Sequence, residues 1–201
     1  MKLSVLGAAG ATGIPLVEQA LAAGHIVTAL IRSGQELTIT NPNLHVVEGD
    51  ATDPAAVSEA MNGGDAVISV LGARGPVMTE ATRAIVDAAE QKGPERVVML
   101  SSFVAARDRL TPVTKVVTGI AMSSQIKDKT AGEEILRASG LDWTIVYPTK
   151  LTNGPKTEAR VVPESEKVGM SQKISRAGVA SFLLQAAAED LHSRRGVVIT
   201  G

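Results

Sequence analysis

Seven short runs rich in β-branched and apolar residues recur along the chain: KLSVLG, HIVTALIR, LHVVEGD, DAVISVLG, RVVMLSS, WTIVYP and GVVIT. Stretches with helical spacing separate them, and this alternation of two periods predicts β-α units around a mostly parallel sheet. The runs read as apolar on both faces, as strands must be when helices cover a sheet from both sides. Helix formers fill GIPLVEQALAAG, DPAAVSEAMNGG, MTEATRAIVDAAEQKG, SSQIKDKTAGEEILRASG and ISRAGVASFLLQAAAED. Several of these have glycine just past the end, where a left-handed cap residue is wanted. No composition shift or repeat divides the 201 residues, so a single α/β domain over 1–201 is expected. Segments 103–122 and 151–170 break the alternation. Both are expected to be substrate loops, because they follow the C-terminal ends of predicted strands, the edge at which open α/β sheets bind ligands.

The first such edge carries VLGAAGATGIP, residues 5–15, with Gly7, Gly10 and Gly13 straight after an apolar run. Each glycine weakens a helix, so their regular spacing at a strand-to-helix junction needs a reason. A dinucleotide supplies one. The first glycine makes the tight turn, the second lets the backbone approach a pyrophosphate, and the third lets helix pack on strand. Amides of the stretch, including those of Ala9, Ala11 and Thr12, face the phosphates at the helix N-terminus.

Cofactor choice is read at the end of the second run. An NAD site places an acidic residue there to bond the ribose 2′-hydroxyl, whereas this run ends in Arg32 and Ser33. A guanidinium offers a planar fork to a 2′-phosphate and no acceptor to a hydroxyl, so NADP(H) is the expected cofactor. Arg74, in the stretch Leu71, Gly72, Ala73, Arg74 after the fourth run, is a second candidate for the same phosphate. Asp50 and Ala51 close the third run, where the adenine amino group is expected, while Asp53 reads as a helix-start residue.

Composition excludes other classes. A formal net charge of −1 without a Lys/Arg block leaves no footprint for nucleic acid. The absence of cysteine removes disulfides, thiolate metal sites and cysteine nucleophiles. His25, His45 and His192 lack ligand spacing, so no metal is expected. Glycine interrupts the first apolar run too early for a signal peptide, and a cytoplasmic protein without membrane attachment is expected.

Taken together, the glycine pattern, ALIRS, VVEGDATD, VISVLGAR, VVMLSS and EEILRASGLDWTIVYP resemble the atypical short-chain dehydrogenases/reductases of the NAD(P)-binding, NmrA-like group. Within that group the nearest likeness is to flavin reductases of the biliverdin reductase B type. The resemblance covers nearly the whole chain and implies a Rossmann-type, doubly wound parallel sheet in one domain. It places the nicotinamide near Ser101, Ser102 and the segment YPTKL. Ser102 matches the hydroxyl residue beside nicotinamide and substrate, which makes it the candidate catalytic residue. Pro148, Thr149 and Lys150 match a cofactor-contacting loop, with Lys150 where a histidine commonly stands. Lys129 occupies the place of the lysine in the Tyr-x-x-x-Lys motif of typical short-chain dehydrogenases, but Gln125 stands where their tyrosine would be. The one tyrosine, Tyr147, is expected after the sixth strand and off the Lys129 face.

That departure has a chemical consequence. Carbonyl reduction needs an acid to protonate the alkoxide as hydride arrives, and a glutamine amide cannot serve. Flavins, quinones and linear tetrapyrroles accept hydride into a conjugated system and take their proton from solvent, so a small-molecule acceptor of that kind is expected. With aromatics at 2%, Phe103 is the best-placed stacking partner, and Arg107 or Lys115 is a candidate for meeting an anionic group. The rival reading is an NmrA-like redox sensor that binds NADP(H) without turnover. An isomerase or dehydratase of nucleotide sugars would need the missing tyrosine. The expected state is a monomer or small homo-oligomer.

Overall fold

The computed structural model describes residues 1–72 and 77–201. Its elements are β1 (Lys2–Leu6), α1 (Gly13–Ala22), β2 (Ile26–Ile31), β3 (Leu44–Glu48), α2 (Pro54–Met61), β4 (Ala66–Ser69), α3 (Val77–Gln91), β5 (Arg96–Leu100), α4 (Pro112–Ala121), α5 (Ser123–Ala138), β6 (Asp142–Pro148), β7 (Lys150–Thr152), β8 (Arg160–Val161), β9 (Lys173–Ser175), α6 (Arg176–Ala188) and β10 (Arg195–Thr200). All seven apolar runs become strands of one sheet, ordered β3-β2-β1-β4-β5-β6-β10-β8. It is parallel from β3 through β10, and β8 pairs antiparallel with β10. Strands β7 and β9 form a separate two-stranded ribbon.

Alternation within the strands divides the core in two. Leu3 and Val5 of β1, Ala66 and Ile68 of β4, and Val98 of β5 pack with α1 and α6. Their neighbours Leu6, Val67, Val97 and Met99 pack with α2, α3 and α5. Successive strand side chains point to opposite faces, so one apolar run serves both layers of this doubly wound fold. Fully buried Leu3, Leu6, Leu16, Ile68, Ile85 and Leu183 each contribute about 1.5–3 kcal/mol over an exposed position.

The strand β3 departs from the expected two-sided burial, with His45 and Val46 exposed. It is the edge of the sheet, with a neighbour only in β2. Segment 103–122 is likewise not simply a loop: a 3-10 turn at Arg107–Arg109 leads into α4. The Arg107 guanidinium donates to Thr118 Oγ1 at 3.1 Å and to the Lys115 carbonyl at 2.7 Å, so it fastens α4 and is not held out for a ligand. Segment 151–170 remains largely irregular around β8 and the end of β7.

The far, N-terminal edge of the strands is secured by Arg96. Its Nη2 donates to the Ala186 carbonyl at 2.6 Å, the Leu191 carbonyl at 2.8 Å and Thr144 Oγ1 at 2.9 Å. Asp142 lies 3.3 Å from Nη1. These bonds fasten the turn after α6, in which Asp190, His192 and Arg194 adopt left-handed φ. The opposite edge is left for the cleft.

Candidate functional site

The strand order reverses at β1, which has β2 on one side and β4 on the other, and a crevice forms where such a reversal occurs. Gly7 turns the chain there with φ +85°. A Cβ on Gly10 would lie 3.1 Å from the Gly7 carbonyl oxygen, and one on Gly13 would lie 2.5 Å from that of Ala8. Gly7 therefore makes the turn and Gly13 lets helix pack on strand as the spacing implies, while Gly10 stands exposed at the mouth of the cradle. Among the described residues no backbone carbonyl accepts from the amides of Ala11, Thr12 or Gly13. Those orphan donors, with the positive end of α1, form a cradle for phosphate. Ala9 lies in the same turn, half-buried.

On one side of the cradle is a cavity of about 140 Å³ lined by Gly7, Gly10, Arg32, Gln35, Asp50, Ala51, Leu71 and Gly72. Arg32 follows directly on β2 and is exposed, with its backbone amide held by Gln35 Oε1 at 3.3 Å. Ser33 is exposed beside it and is not part of the lining. Asp50 Oδ1 accepts from the Thr52 amide at 2.9 Å and the Thr52 hydroxyl at 2.7 Å. Those bonds, the amide first, hold its carboxyl below the usual value. Asp53 caps α2 by accepting from the Ala55 amide at 3.0 Å, as a helix-start residue should. The candidates Ala73 and Arg74 lie outside the described residues.

On the other side the cradle opens into a cleft of about 370 Å³ that brings together Gly10, Ala11, Thr12, Leu71, Gly72, Ser101, Ser102, Gln125 and Lys129. Its walls also include Val104, Met122 and Leu151, from the two segments expected as substrate loops, and Ile126 and Arg176, which sequence reasoning missed. Arg176 stands at the junction of β9 and α6, and a charged residue at the start of a predicted helix was the available signal. Burial pushes the Lys129 ammonium down, opposed by Glu133 and Asp128. Asp128, next along α5, accepts from the Met78 and Thr79 amides and so caps the start of α3 beside Gly72.

Other expected residues take different places. Pro148 and Thr149 are buried, Pro148 accepting from the Phe103 amide at 3.1 Å and Thr149 donating to the Ile199 carbonyl at 2.9 Å. Lys150 is exposed on β7, and Leu151 beside it reaches the lining. Phe103 is a buried core residue packed on the α3 and α5 side, and it does not line the cleft. Tyr147 lies within β6, not beyond it. Its hydroxyl donates to Glu133 Oε2 at 2.6 Å and accepts from Arg137 Nη2 at 2.8 Å. Burial, then the Glu133 carboxylate, push this phenol well above its ordinary value. It lines a separate polar cavity with Asp108, Arg109, Glu164 and Lys167.

The sequence from residue 7 to residue 190 matches the family model described as NAD(P)H-binding. The chain belongs to this NAD(P)H-binding family. Solved structures share the fold, among them proteins named as short-chain dehydrogenases/reductases. One from Veillonella parvula DSM 2008, in complex with NADP, superposes with a TM-score of 0.87 at 22% identity, covering 100% of this chain and 94% of that one. The anaerobillin reductase ChuY from Escherichia coli O157:H7 gives a TM-score of 0.83 at 26% identity over 99% of this chain and 96% of its own. A chloroplastic protein of Arabidopsis thaliana is 30% identical over 98% of this chain and 76% of its own length. The chain is thus an NAD(P)H-binding protein with a Rossmann-type fold, and the cradle fits its dinucleotide. No helix of the described residues is long and apolar enough to cross a membrane.

For this family member Gln125 is expected to contribute little to chemistry. Gln125→Ala should leave NADPH oxidation within about threefold of wild type, since the amide transfers no proton in the transition state. Stopped-flow absorbance of NADPH checks this, and a thousandfold loss would contradict it.

Proposed function

We propose that the chain is an NADPH-dependent reductase whose acceptor is a planar conjugated molecule such as a flavin, quinone or linear tetrapyrrole. One observation carries the reading: a single cleft joins the phosphate cradle to a chamber with an apolar wall, where Gln125 stands in place of the tyrosine of carbonyl-reducing relatives and the chain's one tyrosine, Tyr147, lines another cavity. In this reading Arg32 holds the 2′-phosphate, the amides of residues 11–13 hold the pyrophosphate, and the nicotinamide end lies against Ser101 and Ser102. Leu71, Gly72 and Lys129 flank that course, and Lys150 stays outside it. NADPH supplies the hydride when bound. Met122, Ile126, Val104 and Leu151 exclude water and present an apolar wall to the acceptor. Ser102 positions nicotinamide and acceptor at near-attack distance. The kinship with a protein named as a reductase supports turnover. An aqueous compartment, the cytoplasm or the chloroplast interior suggested by the Arabidopsis relative, suits this activity.

A second reading, the redox sensor, is favoured by α4. Val113, Val116, Val117 and Ile120 recur at helical spacing and are 52–80% exposed, an apolar stripe suited to a partner. Turnover decides between the readings. NADPH oxidation is measured with a panel of flavins, quinones, linear tetrapyrroles and carbonyl compounds, for wild type beside Ser102→Ala. The reductase reading expects Ser102→Ala to be roughly 10- to 100-fold slower with little change in NADPH affinity. Equal rates would remove Ser102 from its role. Absence of oxidation with every acceptor, alongside tight NADPH binding, would favour the sensor.

A further inference from the structure

Ser101 lines the cleft, yet its hydroxyl lies 2.6 Å from Oε1 of Glu133. Glu133 is only 6% exposed and stands one helical turn from both Lys129 and Arg137 on α5. Its Oε2 is taken by the Tyr147 hydroxyl. The phenol oxygen accepts an N–H from Arg137, so the single phenol proton is committed to Glu133. A carboxylate only accepts hydrogen bonds. Ser101 must therefore spend its one proton on Glu133. What its oxygen offers the cleft is lone pairs.

We propose that Ser101 is a fixed acceptor for an N–H of the nicotinamide carboxamide, and that Glu133 is the positioning residue that sets this polarity from behind the strand. The inference rests on the cofactor course given above. It assigns the two adjacent serines different work, Ser101 orienting the carboxamide and Ser102 serving the reacting face. A carboxamide anchored in this way fixes the rotation of the nicotinamide ring and so the face from which hydride leaves.

The test is a binding measurement that needs no turnover. Wild type, Glu133→Gln, Ser101→Ala and Tyr147→Phe are titrated calorimetrically with NADP and with its 3-acetylpyridine analogue, in which methyl replaces the carboxamide NH2 and the carbonyl stays. Wild type is expected to bind the analogue about 10-fold more weakly, the worth of a hydrogen bond to a charge-polarised acceptor. In Glu133→Gln the Tyr147 proton keeps the amide oxygen, which turns the amide nitrogen toward Ser101 and reverses its hydroxyl. The preference should then fall to within about twofold, and likewise in Ser101→Ala if Glu133→Gln fails to fold. Tyr147→Phe loosens the same network but leaves a carboxylate that Ser101 must still serve, so the preference should survive. Its loss there would show a merely structural effect and overturn the proposal. Tight binding of NADP with no preference in wild type would overturn this inference alone. Failure of wild type to bind either dinucleotide would overturn the cofactor course and the inference together.

Discussion

Gly13→Ala is expected to destabilise the chain by about 3 kcal/mol and to abolish tight NADPH binding at the same time. The added Cβ would press into the carbonyl oxygens of Gly7 and Ala8. Both are backbone atoms of the cradle, so the contact cannot be relieved by rotating a side chain, and overpacking of this kind costs about 1–3 kcal/mol or more. For a chain of this size the loss corresponds to a fall in Tm of roughly 6–12 °C. Either α1 moves off β1 or the turn opens, and both displace the amides of Ala11 and Thr12. Thermal unfolding followed by circular dichroism, with calorimetric titration of NADPH, checks the pair of effects. An unchanged Tm with unchanged affinity would show that the glycine is not needed for close packing.

Arg32→Asp is expected to weaken NADPH on the order of 10- to 100-fold and to turn the cofactor preference toward NADH. Arg32 and Asp50 share the cavity beside the cradle, and the guanidinium is exposed at the end of β2. Replacing a charge-assisted contact with a like charge removes the 2′-phosphate's partner, while the new carboxylate accepts from the ribose hydroxyl of NADH. Salt screens an exposed pair, so the difference should shrink as ionic strength rises. Dissociation constants for both cofactors at two salt concentrations decide it. Equal constants for NADPH and NADH in wild type would show that Arg32 does not read the phosphate.

Strands and the cradle were legible because each depends on local pattern: β-branched runs for β1 to β6 and β10, and glycine spacing for the turn. The helix α4 was not. Thr114 and Thr118 face inward while Val113, Val116, Val117 and Ile120 face out, which inverts the pattern that marks a helix, and its β-branched residues are weak helix formers. Phe103, the best-placed stacking candidate, lies in the core, because adjacency to Ser102 says nothing of the direction of its side chain. The Ser101–Glu133–Tyr147 chain was invisible for a different reason. Its members are 32 and 14 residues apart, and only the packing of α5 on the sheet brings them together. Arg32, at the end of its strand, needed no such packing.

Strand β10 is an interior strand of the sheet, lying between β6 and β8, and this has a consequence for assembly during synthesis. Its Ile199 carbonyl holds the Thr149 amide and its Val198 carbonyl holds that of Val162. Residues 1–100, by contrast, contain five consecutive strands that pair among themselves and carry both the phosphate cradle and the Arg32 cavity. Successive β-α units of that half can dock as they leave the ribosome, whereas β6, β8 and the Thr149 amide gain their partner on β10 only when residues 195–200 have been made. A nascent chain thus acquires its dinucleotide handle before the far half of its sheet can close.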